Sequence, residues 1–294
     1  MKPTRLLLTL AAGLLAAVVP ARAQIAVSLS IKERLHIRHE AILATVAVTN
    51  NTGRDITLED TRQSQWFGFQ ISVTGDRFIA PRDLHYRLEP LPMRAGETLK
   101  RTVNLNDLYP LGEYGTYAIR ANIYFAGMDR YFSSKPTHVE ITDGRVIWRR
   151  SAGVPEGEKD AGQTHVFTLL THQRGEQNLL YIRVENPDEG SVYCTNPLGR
   201  VIDGVVPDMQ LDSRNNLYVL HLVGLRRFAL SRISIRGEFL GQTYYTVPKS
   251  RPYLRKQPDG SLQLVGGQRE EIAQNPTKLP PPAKLSDRPP GLPK

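Results

Sequence analysis

Residues 67–74 read Phe67-Gly68-Phe69-Gln70-Ile71-Ser72-Val73-Thr74. Large apolar side chains alternate with small or polar ones at every position. In an extended strand successive side chains point to opposite faces, so the row has one buried face and one wet face. A helix would instead bring its apolar residues back every three or four positions. The two-residue period continues in both directions. Upstream it runs through Ile25, Val27, Leu29 and Ile31, then Ile42, Ala44, Val46 and Val48. Downstream it runs through Leu99, Val103 and Leu105, then Tyr117, Ile119, Ala121, Ile123 and Phe125, and closes with Val139 and Ile141. Such rows are the pattern of half-buried antiparallel strands. Turn signals separate them at Asn51-Thr52-Gly53, Thr74-Gly75-Asp76 and Ala95-Gly96. Asp143-Gly144 lies between the rows at 139–141 and 146–148 and reads as a hairpin turn. About seven short strands in roughly 125 residues, with no helix among them, predict a β-sandwich.

Three stretches carry a resemblance as well as a pattern. Residues 44–57 end in Asn50-Asn51-Thr52-Gly53-Arg54, residues 95–106 begin Ala95-Gly96-Glu97, and residues 114–125 lead from Gly115-Thr116-Tyr117 into the longest row, followed by 130–142. In this order the segment 24–150 resembles bacterial extracytoplasmic immunoglobulin-like domains. The resemblance implies an immunoglobulin-like sandwich and no particular ligand. Similar arrangements occur in adhesion, scaffold and proteinase-inhibitor-like modules. The paired cysteines of antibody-type domains are absent, because Cys194 is the single cysteine. Packing alone is expected to hold the sandwich, with Cys194 a small apolar strand residue.

Residues 151–163, Ser-Ala-Gly-Val-Pro-Glu-Gly-Glu-Lys-Asp-Ala-Gly-Gln, read as a linker. A second, smaller antiparallel β domain is expected over 164–268. Within it Leu180-Tyr181-Ile182 recurs as Leu217-Tyr218-Val219, and Gly199 as Gly237. The segment 211–220 resembles a strand of β-propeller-type repeats. A propeller needs about four blades or more, and this stretch is too short for them, which leaves two similar β-meanders. Pro258-Asp259-Gly260 marks one more hairpin turn. Residues 269–294 form a Pro-rich tail, expected to be disordered because proline can neither pair in a sheet nor continue a helix.

The N-terminus sets the expected compartment. Lys2 and Arg5 precede an apolar run from Leu6 to Val19, and Pro20 and Ala21-Arg22-Ala23 follow. This is the three-part form of a secretory signal peptide cleaved near Ala23. The run is shorter than the roughly 18 residues a membrane span requires. The chain is therefore expected to be periplasmic or secreted, with no span after cleavage. The formal charge is +9, and the chain remains cationic without Lys2, Arg5 and Arg22. That balance favours anionic partners: an envelope polysaccharide, lipid headgroups or another envelope protein. No nucleic-acid-binding motif is present, and nucleic acid is not expected as a partner.

Catalytic constellations were sought by spacing. His36-Ile37-Arg38-His39-Glu40 lacks the four-residue His separation of the helical zinc motif, and an odd spacing on a strand splits the rings between faces. It is read as a solvated strand end. His165 and His172, also oddly spaced, are expected at the surface. No Gly-x-Ser-x-Gly elbow and no phosphate-binding glycine loop occurs. Asp203, Asp208 and Asp212 cluster in sequence, where carboxylates can act on sugars but more commonly stabilise turns. No catalytic residue, metal ligand or cofactor is assigned. The candidate anion- or sugar-binding group is Lys249, Arg251, Tyr253, Arg255 and Lys256, since Arg forks and Tyr rings suit planar anions and sugars. The leading expectation is an exported, non-enzymatic binding or scaffold protein. The alternatives are a carbohydrate-active enzyme or accessory module using Asp203 to Asp212, and a proteinase inhibitor presenting residues 63–66 or 108–114.

Overall fold

The computed structural model describes residues 24–74, 77–84, 86–247 and 250–270. The expected leader, the Gly75-Asp76 turn, Lys249 and the tail from residue 271 onward lie outside them. The described chain is almost entirely β, in several antiparallel sheets.

The first β unit contains β1 (Ile25–Ile31), β2 (Leu35–Ile37), β3 (Leu43–Asn50), β4 (Ile56–Leu58), β5 (Phe67–Val73), β6 (Arg77–Phe78), β7 (Leu91–Met93), β8 (Thr98–Asn104), β9 (Gly115–Phe125), β10 (Arg130–Ser133) and β11 (Thr137–Thr142). One sheet has the order β1-β3-β8, a second runs β2-β11-β9-β5-β6 with β10 also on β9, and β4 pairs with β7 in a third. The register explains the alternation read from sequence. Phe67 faces Ile123, Phe69 faces Ala121 and Ile71 faces Ile119. These side chains meet Ala44, Val46 and Val48 of β3 in one shared core. Burying a side chain of this size contributes about 1.5–3 kcal/mol each.

Two polar residues close the ends of this unit. Asn50 is fully buried; its Nδ2 donates to the carbonyls of Arg54 and Arg94, and its Oδ1 accepts from the N–H and hydroxyl of Thr52. The Asn-Asn-Thr-Gly-Arg turn is thus tied to the strand end. The Tyr109 hydroxyl donates to Phe69 O at 2.8 Å and accepts from Phe69 N at 3.1 Å. It anchors a one-turn helix, Leu105–Leu108, to β5. Leu105 therefore starts a helix rather than ending a strand, because Asn104 caps that turn through Asn106 N.

The second unit contains β12 (Arg145–Gly153), β13 (Thr164–Arg174), β14 (Gln177–Asn186), β15 (Ser191–Arg200), β16 (Asp208–Leu211), β17 (Leu217–Gly224), β18 (Arg227–Ile233), β19 (Phe239–Thr246), β20 (Tyr253–Lys256), β21 (Leu262–Val265) and β22 (Gln268–Arg269). Two meanders result, β12-β13-β14-β15 and β16-β17-β18-β19-β22. The repeated Leu-Tyr-apolar triplets occupy β14 and β17, one in each meander. Phe167, Leu169, Ile182 and Val184 of the first meander share a core with Leu217, Val219 and Ile233 of the second. The β20-β21 hairpin turns at Pro258-Asp259-Gly260 and lays Leu254 and Leu264 against Leu220, Phe228 and Leu230 on the far face of the second meander.

Several local expectations are corrected. Asp143-Gly144 does not make a hairpin: β11 pairs with β9 and β2, whereas β12 pairs with β13. The dipeptide instead carries the chain from one unit to the other, and a Cβ on Gly144 would lie 2.9 Å from Leu170 Cβ. Residues 151–153, read as linker, finish β12, and 154–163 form the β12–β13 loop. Small polar residues serve a hairpin loop as well as a linker, so composition alone did not separate the two. The first two residues of the expected tail, Arg269 and Glu270, are ordered, because β22 pairs with β19 and Glu270 receives hydrogen bonds from Arg227 at 2.8 and 3.0 Å.

Candidate functional site: the cleft between the two β units

The loop joining β2 to β3 makes the contact between the units. His36 and Glu40 are buried, 3% and 7% exposed, where the sequence suggested a solvated strand end. The cause is long-range. Arg174, at the end of β13, donates to both Glu40 carboxylate oxygens, at 3.0 and 2.8 Å. Ile37 N–H donates to Glu40 Oε2 at 3.0 Å, and the Tyr181 hydroxyl lies 3.3 Å from Oε1. His36 Nδ1 sits 3.6 Å from the same carboxylate. Ile37 packs with Leu170 and Tyr181 beneath this network. Burial by itself raises the Glu40 carboxyl, but the hydrogen bonds from His36 and Arg174 outweigh it and hold the pKa below its ordinary value. Burial pushes the Tyr181 hydroxyl up, so it remains a neutral donor. His165, expected at the surface, is also fully buried: its Nδ1 bonds Ile235 O at 2.9 Å and its ring lies against Tyr193.

Beside this lock opens a cleft of about 370 Å³. One wall is His39, Ala41, Arg82, the start of the short helix from Asn104 to Asp107, and residues 110–112. The other is residues 192–196 of β15. The volume lies within the range of small-ligand sites. Its lining is mostly polar and held in place. Asn104 Oδ1 accepts from Ile42 N at 3.1 Å, and its Nδ2 donates to Asp107 at 2.9 Å. Arg82 Nε donates to Asn106 O at 3.2 Å. Asn106 Nδ2 donates to the Glu40 carbonyl, which joins the cleft to the lock.

A second network lies behind the lining residues Thr195 and His39. Arg183 donates to Thr195 Oγ1 at 3.2 Å, to Arg38 O at 2.8 Å and to Asp143 Oδ1 at 3.3 Å. Asp143 also accepts from the Tyr114 hydroxyl at 2.7 Å, and the Arg38 guanidinium lies over the Tyr114 ring. His39, at a left-handed φ of 67°, projects among these groups. Its pKa is lowered to about 4, first by burial, then by the charges of Arg183 and Arg38, with Asp143 opposing and Arg82 adding. The imidazole is therefore neutral at ordinary pH. Cys194 also lines the cleft, but burial pushes its thiol up to about 11, so it is a thiol and not a thiolate nucleophile. The arrangement offers amide, hydroxyl and guanidinium donors to a bound polar or anionic group.

The five residues selected from sequence are not brought to this cleft. Lys249 is outside the described residues. Arg251 donates to the Val206 carbonyl. Tyr253 and Arg255 share one face of β20, where Arg255 reaches Gln263 Oε1 at 3.4 Å, while Lys256 alternates to the other face and donates to Leu211 O at 3.3 Å. Asp203, Asp208 and Asp212 each hold a loop: they accept from Asn178 Nδ2, from Leu254 N, and from the N–H groups of Arg214 and Asn216. In the two stretches considered as inhibitor loops, Trp66, Tyr109 and Leu111 are core residues. Among the described residues no group of three or more His, Cys, Asp or Glu side chains is disposed to hold a metal ion, and no helix is long and apolar enough to cross a membrane.

The residues missed by sequence reading are Arg38, Arg82, Tyr114, Asp143, Arg174, Tyr181 and Arg183. Arg38, Asp143 and Tyr181 lie in stretches read for other reasons, and each of the seven acquires its role by pairing across many residues. The buried His36–Glu40 stretch was a local sign, with two His and one Glu within five residues.

No protein-family model matches the chain, and no curated protein is similar to it. Among solved structures, it is similar to the periplasmic chaperone SfaE, with a TM-score of 0.23 and 10% identity, over 76% of this chain and 100% of that one.

Proposed function

We propose that this is an exported, non-catalytic binding protein of two domains, joined at Asp143-Gly144, whose cleft holds an anionic group of a cell-envelope polymer. Export rests on the leader-like residues 1–23 and the expected cleavage near Ala23. The single observation that carries the binding reading is the lining of the cleft. Arg82, His39, Asn104 and Asn106 of one β unit face Tyr193, Thr195 and Asn196 of the other across about 370 Å³. The Arg82 guanidinium, beside the amides of Asn104, Asn106 and Asn196 and the hydroxyls of Tyr193 and Thr195, suits a carboxylated or sulfated sugar. The buried Glu40–Arg174 pair keeps the walls at a fixed separation, which reduces the ordering cost of binding.

The test is retention of the purified protein on immobilised polygalacturonate and dextran sulfate. Filling the cleft with Asn196→Trp, and separately removing a charge with Arg82→Ser, should each lower retention about tenfold. Retention unchanged in both variants rejects the cleft as the site. N-terminal sequencing of protein recovered from the producing cell should begin at Gln24; recovery with Met1 rejects export.

A further inference from the structure

We propose that one end of the second β unit is a docking surface for an anionic phospholipid membrane, separate from the cleft. Three loops meet there. The first is 202–207, ahead of β16; the second is the turn between β17 and β18; the third is made of Val247, just after β19, and residues 250–252, ahead of β20. Strand direction brings them to the same end, and hydrogen bonds tie them. Ile202 N donates to Leu222 O at 3.0 Å, Val247 N donates to Arg226 O at 3.0 Å, and the Arg251 guanidinium donates to Val206 O.

What these loops expose is unusual for loops facing water. Leu225 is 96% exposed and Val206 is 72% exposed. They are among the most exposed large apolar side chains of the described residues. A tight hairpin turn ordinarily takes Asn, Asp or Gly. This one carries Leu225-Arg226, with Arg226 held in the left-handed region at φ 54°. Leu225 is absent from every hydrophobic cluster, so packing within the chain does not account for it. Arg226 and Arg251 flank the two apolar side chains and are exposed, and neither pairs with a carboxylate among the described residues.

Two apolar tips flanked by Arg226 and Arg251, with Asp203 of the first loop held by Asn178 Nδ2, match the two layers of an anionic bilayer surface. Leu225 and Val206 would enter the acyl boundary, while Arg226 and Arg251 meet phosphate in the headgroup layer. The sequence-selected Arg251 thus belongs to a charged and apolar loop end rather than to a planar sugar site. The framework beneath is rigid, since Pro207 and Pro252 are buried and Leu254 N is held by Asp208.

The experiment is co-sedimentation of the purified protein with vesicles of equal parts phosphatidylcholine and phosphatidylglycerol, and with phosphatidylcholine alone. Binding is expected to the mixed vesicles and to weaken with salt. Leu225→Ser with Val206→Ser should reduce affinity about tenfold or more. Arg226→Asn, which tolerates the left-handed backbone, and Arg251→Ser should each reduce it about fivefold. Asn196→Trp, which fills the cleft, should leave vesicle binding unchanged, so this surface and the cleft are tested apart. Three results overturn the proposal: no binding to mixed vesicles, equal binding to phosphatidylcholine alone, or binding that persists undiminished in the Leu225/Val206 double variant. Thermal unfolding of each variant checks that these exposed substitutions leave the fold intact.

Discussion

Arg174 and Glu40, 134 residues apart in sequence, form an ion pair in which one guanidinium nitrogen reaches both carboxylate oxygens, at 2.8 and 3.0 Å. The pair joins the end of β13 to the loop before β3. Through the Glu40 carbonyl and Asn106 it also supports one wall of the cleft.

Breaking this pair should be costly, because the surviving partner is left largely buried and uncompensated. Glu40→Ala is expected to destabilise the protein by about 3–5 kcal/mol. Replacing both partners by apolar side chains, Glu40→Leu with Arg174→Met, should lose considerably less. Urea unfolding of the two variants makes the comparison. Equal losses would show that the charges themselves, and not the orphaned partner, set the energetics.

Stability should fall with acid in two stages. His39 and His221 have pKa values lowered from 6.5 to about 4, both chiefly by burial. The unfolded chain therefore binds more protons than the folded one between these values, and stability declines as pH drops from about 6.5 to about 4. Glu40, depressed below its ordinary 4.5, contributes stability that is present above that value and is lost on further acidification. Unfolding midpoints measured from pH 8 to 3 should show this order. A midpoint independent of pH between 7 and 4 would contradict the burial of the two imidazoles.

Gly237 couples the second meander to the first. It has φ 83°, and a Cβ there would lie 2.7 Å from Cys194 Sγ. Gly237→Ala should cost about 1–3 kcal/mol from backbone strain and the clash together. Adding Cys194→Ala should recover only the clash. Thermal denaturation of the single and double variants separates the two contributions, and no recovery would mean that the backbone alone is responsible.

Ile119 and Leu169 lie in separate hydrophobic cores, so their losses should add. Ile119→Ala in the first and Leu169→Ala in the second are each expected to cost about 2–5 kcal/mol. The double variant should equal their sum within about 0.5 kcal/mol. A larger discrepancy in chemical denaturation would indicate that packing strain passes between the units.

The all-β character was legible because each strand's buried face repeats every two residues. Phe67, Phe69, Ile71 and Val73 declare the core side whatever lies opposite them. The Asn51-Thr52-Gly53 turn and the hairpin at Pro258-Asp259-Gly260 were equally local, whereas the bond from Asn50 Nδ2 to Arg94 O spans 44 residues and was not. Asp143-Gly144 and the loop 154–163 were misread because turn-forming residues do not specify which strand pairs with which. His36 and His165 were misplaced for a related reason: alternation shows which face a side chain occupies, but not whether another sheet covers that face.

The amino-acid sequence alone determined the strands, their wet and dry sides, and the tight turns, because those depend on contacts a few residues apart. Only the tertiary structure decided the meeting of Glu40 with Arg174, the cations around His39, and the gathering of Val206, Leu225 and Arg251 at one end. Charge pairing and burial across long loops depend on where whole sheets come to rest. Strand pairing and core packing set that position, and no local spacing encodes it.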